Sequence, residues 1–203
     1  MHPSRCYSRA RSAPAWAVDE VSGNPGPERE RRPAEAAWFA CYTRARHEKR
    51  VDAQLRERGF EAYLPLVPRL RQWHDRRKLV EFPLFPGYVF VHAPSDDLSG
   101  VLSTRGIATV VRFDGRPAPI PEEDISNVRR FTRVLAASDG EWPEATPLVE
   151  EGQKVRVASG PFRGIKGSVL EDRGGDQTLI QVGMKAIGQG VKVEVATADL
   201  RPI

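Results

Sequence analysis

Pro83-Leu84-Phe85-Pro86-Gly87-Tyr88-Val89-Phe90-Val91 ends the densest apolar run of this 203-residue chain. Its two prolines and its glycine forbid one continuous central strand, because proline donates no ladder hydrogen bond and glycine marks a bend. The stretch reads as an irregular turn feeding a strand over 88–92. Along a strand, side chains alternate between faces. Val89 and Val91 share one face; Tyr88 and Phe90 share the other. If helices cover the sheet on one side only, the aromatic side is exposed, and such a patch binds a partner.

Upstream, Trp38-Phe39-Ala40-Cys41-Tyr42-Thr43 reads as a buried strand rich in aromatics. A charged helix is expected over 46–58, stopped by Gly59 where a left-handed cap is wanted. Val51 and Leu55 give it a narrow inner stripe, while Arg46, Arg50, Gln54 and Glu57 face outward. A second strand covers 60–66. Residues 1–37 hold five prolines and no apolar period, and are expected to be a disordered tail.

Downstream, 69–78 is a basic excursion and a short helix is expected near 96–103. A strand over 109–113 turns at Asp114-Gly115, a favoured hairpin pair. Pro121, followed by Glu122, Glu123 and Asp124, opens a helix that Ile125, Val128, Phe131, Thr132 and Leu135 continue. Residues 136–149 have no period and read as a flexible linker. After Gly152 the period becomes two: Val155 and Val157 alternate with Lys154 and Arg156, and Val191, Val193 and Val195 with Lys192 and Glu194. Short β segments with glycine turns predict a small barrel.

Charge is uneven. The net value is +4, but residues 38–135 carry 17 basic and 12 acidic groups, and residues 136–203 carry 8 and 10. Between Arg44 and Lys78 there are 11 basic and 5 acidic residues. A basic first half and a mildly acidic second half suggest two modules with different partners. A solvated arginine-rich helix face is the competing reading.

Enzymatic constellations are absent. His2, His47, His74 and His92 lack metal spacing, and no serine sits in a Gly-x-Ser-x-Gly elbow. The glycines at 160, 164 and 167 do not form a phosphate loop. Two cysteines, Cys6 and Cys41, give no disulfide framework, which suits a reducing cytoplasm. No apolar run reaches membrane-spanning length. The expectation is a non-enzymatic monomer with no cofactor, no metal and no membrane contact.

Two motifs carry a family resemblance. One is the run at 83–91. The other is Gly152-x-x-Val155-x-Val157-x-x-Gly160-Pro161-Phe162-x-Gly164-x-x-Gly167-x-Val169, in which Phe162 at a loop tip is hard to explain as core. With 38–50 and 112–120 they resemble NusG-type transcription elongation factors, in the same order and spacing. Arg71-Gln72-Trp73-x-Asp75-Arg76-Arg77-Lys78 and Thr104-Arg105-Gly106 lean toward specialised paralogues of the UpxY and RfaH kind.

The resemblance implies an α+β fold. An NGN domain over 38–135, with a mostly antiparallel sheet flanked by helices, precedes an SH3-like β-barrel KOW domain over 150–203. It implies transcription antitermination with RNA polymerase as partner, its clamp helices held by Tyr42, Phe85, Tyr88, Phe90, Phe113 and Ile125. It implies non-template DNA read by Arg44, Arg50, Gln54, Thr104 and Arg105. Phe162 and Ile165 match the positions that meet Rho or a small-subunit ribosomal protein. A general factor assisting Rho-dependent termination and a KOW-bearing RNA-binding module remain alternatives. The valines of 150–203 favour a permanent barrel over a helical refold.

Overall fold

The computed structural model describes residues 35–72, 77–137, 145–149, 152–172, 174 and 176–203. The first part runs β1 (Ala36–Thr43), α1 (Glu48–Glu57), β2 (Glu61–Tyr63), β3 (Leu66–Gln72), β4 (Arg77–Pro83), β5 (Tyr88–Pro94), α2 (Leu98–Leu102), β6 (Ile107–Val110), β7 (Arg112–Phe113), β8 (Arg116–Pro117), β9 (Pro119–Ile120) and α3 (Glu122–Ala136). Its main sheet has the order β2-β5-β1-β6, with β9 also on β1, and every pairing is antiparallel.

Alternation divides this sheet into two faces. Phe39, Cys41, Val89, Val91 and Ala93 pack with Val51 and Leu55 of α1 and with Leu98 and Val101 of α2. Trp38, Ala40, Tyr88 and Phe90 turn the other way, toward Ile125, Val128, Phe131 and Leu135 of α3. The condition for an exposed aromatic face, helices on one side only, is therefore not met: α3 covers that face. Its apolar stripe recurs at helical spacing, and apolar burial of about 25 cal/mol per Å² holds it there.

The second part is all-β: β10 (Ala145–Pro147), β11 (Lys154–Val157), β12 (Lys166–Asp172), β13 (Gln177–Met184), β14 (Gln189–Ala196) and β15 (Leu200–Pro202). They form one antiparallel sheet, ordered β10-β14-β13-β12-β11-β15. Val155, Val157, Ile180, Val182, Val191, Val193 and Val195 fill its interior, as their alternation requires.

Two segments differ from the reading of the sequence. Leu66–Gln72 and Arg77–Pro83 pair as a two-stranded ribbon rather than a formless excursion. Prolines at 68 and 83 are tolerated because such a ribbon is all edge. Ala145–Pro147, read as linker, is a strand paired with β14. Gln181, 1% exposed, explains it: Nε2 donates to Pro147 O at 2.9 Å and to Thr146 Oγ1 at 3.1 Å, while Val149 N donates to Gln181 Oε1 at 2.9 Å. Both ends of a buried amide are satisfied by one segment, which holds it in place. The tail expected over 1–37 lies outside the described residues up to 34, and β1 begins at Ala36.

The two parts meet at α3. Phe131 and Phe162 stack with ring centroids 5.9 Å apart. Asn127 Nδ2 donates to Lys166 O, and Lys166 N donates to Asn127 Oδ1, both at 2.8 Å. Lys166 Nζ also pairs with Glu123. One continuous apolar cluster runs from the first sheet through α3 into the all-β part.

Candidate binding surfaces

The turn between β4 and β5 is fixed from three sides. Leu84 N donates to Pro65 O at 2.8 Å, and Thr43 N donates to Gly87 O at 2.8 Å. Gly87 N donates to Glu48 Oε1 at 2.8 Å, so the first residue of α1 grips the turn. Gly87 has φ +88°, and a Cβ there would lie 3.3 Å from the Tyr42 ring. Only glycine allows both the left-handed backbone and the approach of that ring.

Each aromatic residue of the expected polymerase surface has a definite place. Phe85 and Phe90 are sealed, with rings edge-to-face at 6.3 Å, and Ile125 is sealed on α3. An exposed role for these three is corrected: α3 and the sheet enclose them. Tyr42 is half-buried and meets the Tyr88 ring edge-to-face at 5.4 Å. Both tyrosines line a cleft of about 660 Å³ whose far wall is Ala145, Thr146, Pro147, Ile187, Gly188 and Gln189. Tyr88 is 2% exposed, and burial, reinforced by the Tyr42 phenol, pushes its pKa up to about 12. Phe113 is 76% exposed on the β7–β8 hairpin, outside this cleft.

Two of the nucleic-acid candidates, Arg44 and Arg105, come together as a basic lip. Arg44 N donates to Gly106 O at 2.8 Å, which places Arg44 beside Arg105. Gly106 also lies against His47 and Val51 at the start of α1. Arg44, Arg50 and Arg105 are exposed and Gln54 is half-buried. Thr104 is a correction: it is 3% exposed, and its hydroxyl accepts a hydrogen bond from Arg58. Arg58 also donates to Ser103 Oγ at 2.9 Å, so both ends of α1 are tied to the 103–106 loop. The sequence reading missed Arg58; its place one residue before the helix-ending Gly59 was the available signal.

Phe162 and Ile165 are covered as well. Phe162 is half-buried on Phe131 and Ile165 is 1% exposed. The loop-tip phenylalanine that looked unlike core is packed on α3. Among the described residues no cluster of His, Cys, Asp and Glu could hold a metal ion, and no helix is long and apolar enough to cross a membrane.

Residues 36–129 match the family model described as transcription termination factor nusG. The transcription termination/antitermination protein NusG of Deinococcus radiodurans is 30% identical over 182 residues, covering 78% of this chain and 94% of that protein. The chain belongs to the NusG family. The Thermus thermophilus NusG protein is 28% identical over 166 residues, 71% of this chain and 89% of that one. A solved Thermotoga maritima NusG structure is 22% identical over 83% of this chain and 98% of its own, with a TM-score of 0.45. The NusG family comprises non-enzymatic transcription factors, and this chain is one of them.

Proposed function

We propose that this NusG-family protein is an elongation and antitermination factor of the UpxY and RfaH kind. It binds the clamp helices of RNA polymerase, suppresses pausing and acts at chosen operons. Residues 38–135 form the polymerase-binding domain, and the all-β part, residues 150–203 together with the strand Ala145–Pro147, forms the KOW domain. The observation that carries the reading is the Tyr42–Tyr88 pair, held over the glycine turn that Glu48 grips and only one helix away from the arginine lip. Tyr42 and Tyr88 make the contact, while Phe85, Phe90 and Ile125 support it from beneath. Arg44, Arg50, Gln54 and Arg105 lie where an exposed non-template DNA strand would pass, and arginine suits phosphates, guanine edges and unstacked bases. The all-β part faces the tyrosine wall across the cleft, so engagement requires it to move off α3. That movement frees Phe162 and Ile165 for Rho or a small-subunit ribosomal protein.

Single-round transcription with purified polymerase tests this. The wild-type chain shortens pauses, and Tyr42→Ala and Tyr88→Ala lose most of that effect. Equal activity of both variants, with folding intact, would remove the polymerase reading and favour an RNA-binding module. Enhanced Rho-dependent release by the wild type would favour the general termination factor.

A further inference from the structure

We propose that Arg58 is a positioning residue for the basic lip: it holds Arg105 beside Arg44 by gripping the loop that carries Arg105, and does not itself touch the nucleic acid. The role rests on the lip meeting a single strand, as proposed above. Arg58 closes α1, and its guanidinium lies over the Phe60 ring, 5.7 Å from the centroid. A cation over an aromatic face is held there by the ring's charge distribution. From that seat Nη1 donates to Thr104 Oγ1, and Nη2 donates to Ser103 Oγ at 2.9 Å. The two arms thus take hold of two successive residues. A planar guanidinium reaches both at once; the point charge of a lysine does not.

The rest of the loop is tied at its two ends. At the start, Ser103 Oγ donates to Gly100 O at 2.7 Å and Thr104 N donates to Val101 O at 3.0 Å, both on the α2 side. At the other end, Gly106 O accepts from Arg44 N at 2.8 Å, and a Cβ on Gly106 would lie 3.0 Å from Val51 Cγ2. Arg105 is therefore an exposed residue between a buried Thr104 and a buried Gly106. Without Arg58 the Thr104 hydroxyl becomes a buried polar group that has lost its donor, which favours turning it out to water. Arg105, the next residue, swings with it. With Arg58 in place the loop is set before the strand arrives, so less ordering remains to be done on binding.

A double-mutant cycle on the full chain decides the matter, with a short fluorescein-labelled single-stranded DNA as probe, anisotropy read at several salt concentrations, and thermal melts to check folding. Arg58→Met weakens binding about threefold to tenfold and leaves the salt slope as in the wild type, because no phosphate contact is lost. Arg58→Lys keeps the charge but not the fork, and recovers at most part of that loss. Thr104→Ser keeps the hydroxyl that accepts from Arg58 and binds as wild type. Arg105→Ala weakens binding and lowers the slope by about one. In the Arg105→Ala chain, Arg58→Met costs nothing further, since a residue acting through another shows no effect once that other is gone. Additive losses, a lowered slope in Arg58→Met, full recovery by Arg58→Lys, or Thr104→Ser as weak as Arg58→Met would each overturn the positioning role while the lip still binds DNA. No salt-dependent binding by the wild type would remove the reading of the lip itself, and the role with it.

Discussion

Phe131 and Phe162 stack across the junction of the two parts at 5.9 Å and an interplanar angle of 30°. The ring from the first part is fully buried; the ring from the second is half-buried. A stacked pair of this kind contributes about 1 kcal/mol beyond its area. Phe162→Ala removes it while leaving the first core intact. The expected outcome is a more open chain: faster proteolysis between α3 and β10 and several-fold greater retention on polymerase.

Asn127→Ala acts on the same junction by another route. It deletes two reciprocal hydrogen bonds to the Lys166 backbone, at roughly 1 kcal/mol each. Lys166 holds the Glu123 carboxyl below its usual range. That ion pair's contribution is present above the ordinary carboxylate pKa and is lost as pH falls through the lowered value. Proteolysis between α3 and β10 is therefore expected to accelerate in acid and in high salt, and Glu123→Gln to flatten both dependences.

Gly87→Ala places a Cβ at φ +88° and against Tyr42, so about 1–3 kcal/mol of stability is lost. Glu48→Ala leaves Gly87 N without its acceptor but keeps the backbone relaxed. Thermal melts should show the glycine variant as the less stable of the two. Both should weaken polymerase binding, because both loosen the turn that carries Tyr88.

Arg105→Ala and Thr104→Ala separate contact from support. Loss of the exposed arginine should weaken single-stranded DNA binding and lower the salt slope by about 1. Loss of the buried threonine removes the acceptor of Arg58, costing about 1 kcal/mol of stability with the slope unchanged. Filter binding at several salt concentrations, beside denaturant titrations, reads both effects.

Burial pushes the Cys41 thiol from 9.0 up to about 12 and the Tyr88 phenol from 10.0 up to about 12. Below pH 9 both groups are protonated in either state, and this contribution to stability is whole. Between pH 9 and about 12 the unfolded chain releases protons that the folded chain keeps, so stability falls as pH rises. Cys41→Ala should remove the part of that fall that begins near pH 9. At neutral pH the native thiol should be inert to alkylation until the chain is unfolded.

Local pattern carried much of the fold. Alternation assigned Val89 and Val91 to one face and Tyr88 and Phe90 to the other, and the acidic first turn after Pro121 marked the start of α3. What lay over the aromatic face was not legible, because periodicity tells which side of a helix is apolar and not which surface receives it. The strand at Ala145–Pro147 was hidden for a similar reason. Three residues cannot show a period, and their anchor, Gln181, looks like surface until its amide is seen buried 34 and 35 residues away in sequence. In the candidate surfaces, arginine positions were readable from residue type. The inward turn of Thr104 was not, since it depends on Arg58, 46 residues earlier.

The helix Glu122–Ala136 roofs the first sheet and seats the second part with the same few side chains. A substitution there must satisfy two neighbours at once, so that helix should drift slowly during evolution. The outer side of Glu48–Glu57 answers to neither. Under the proposed function, changes at Arg50 and Gln54 would alter which DNA is read while the scaffold underneath stays as it is.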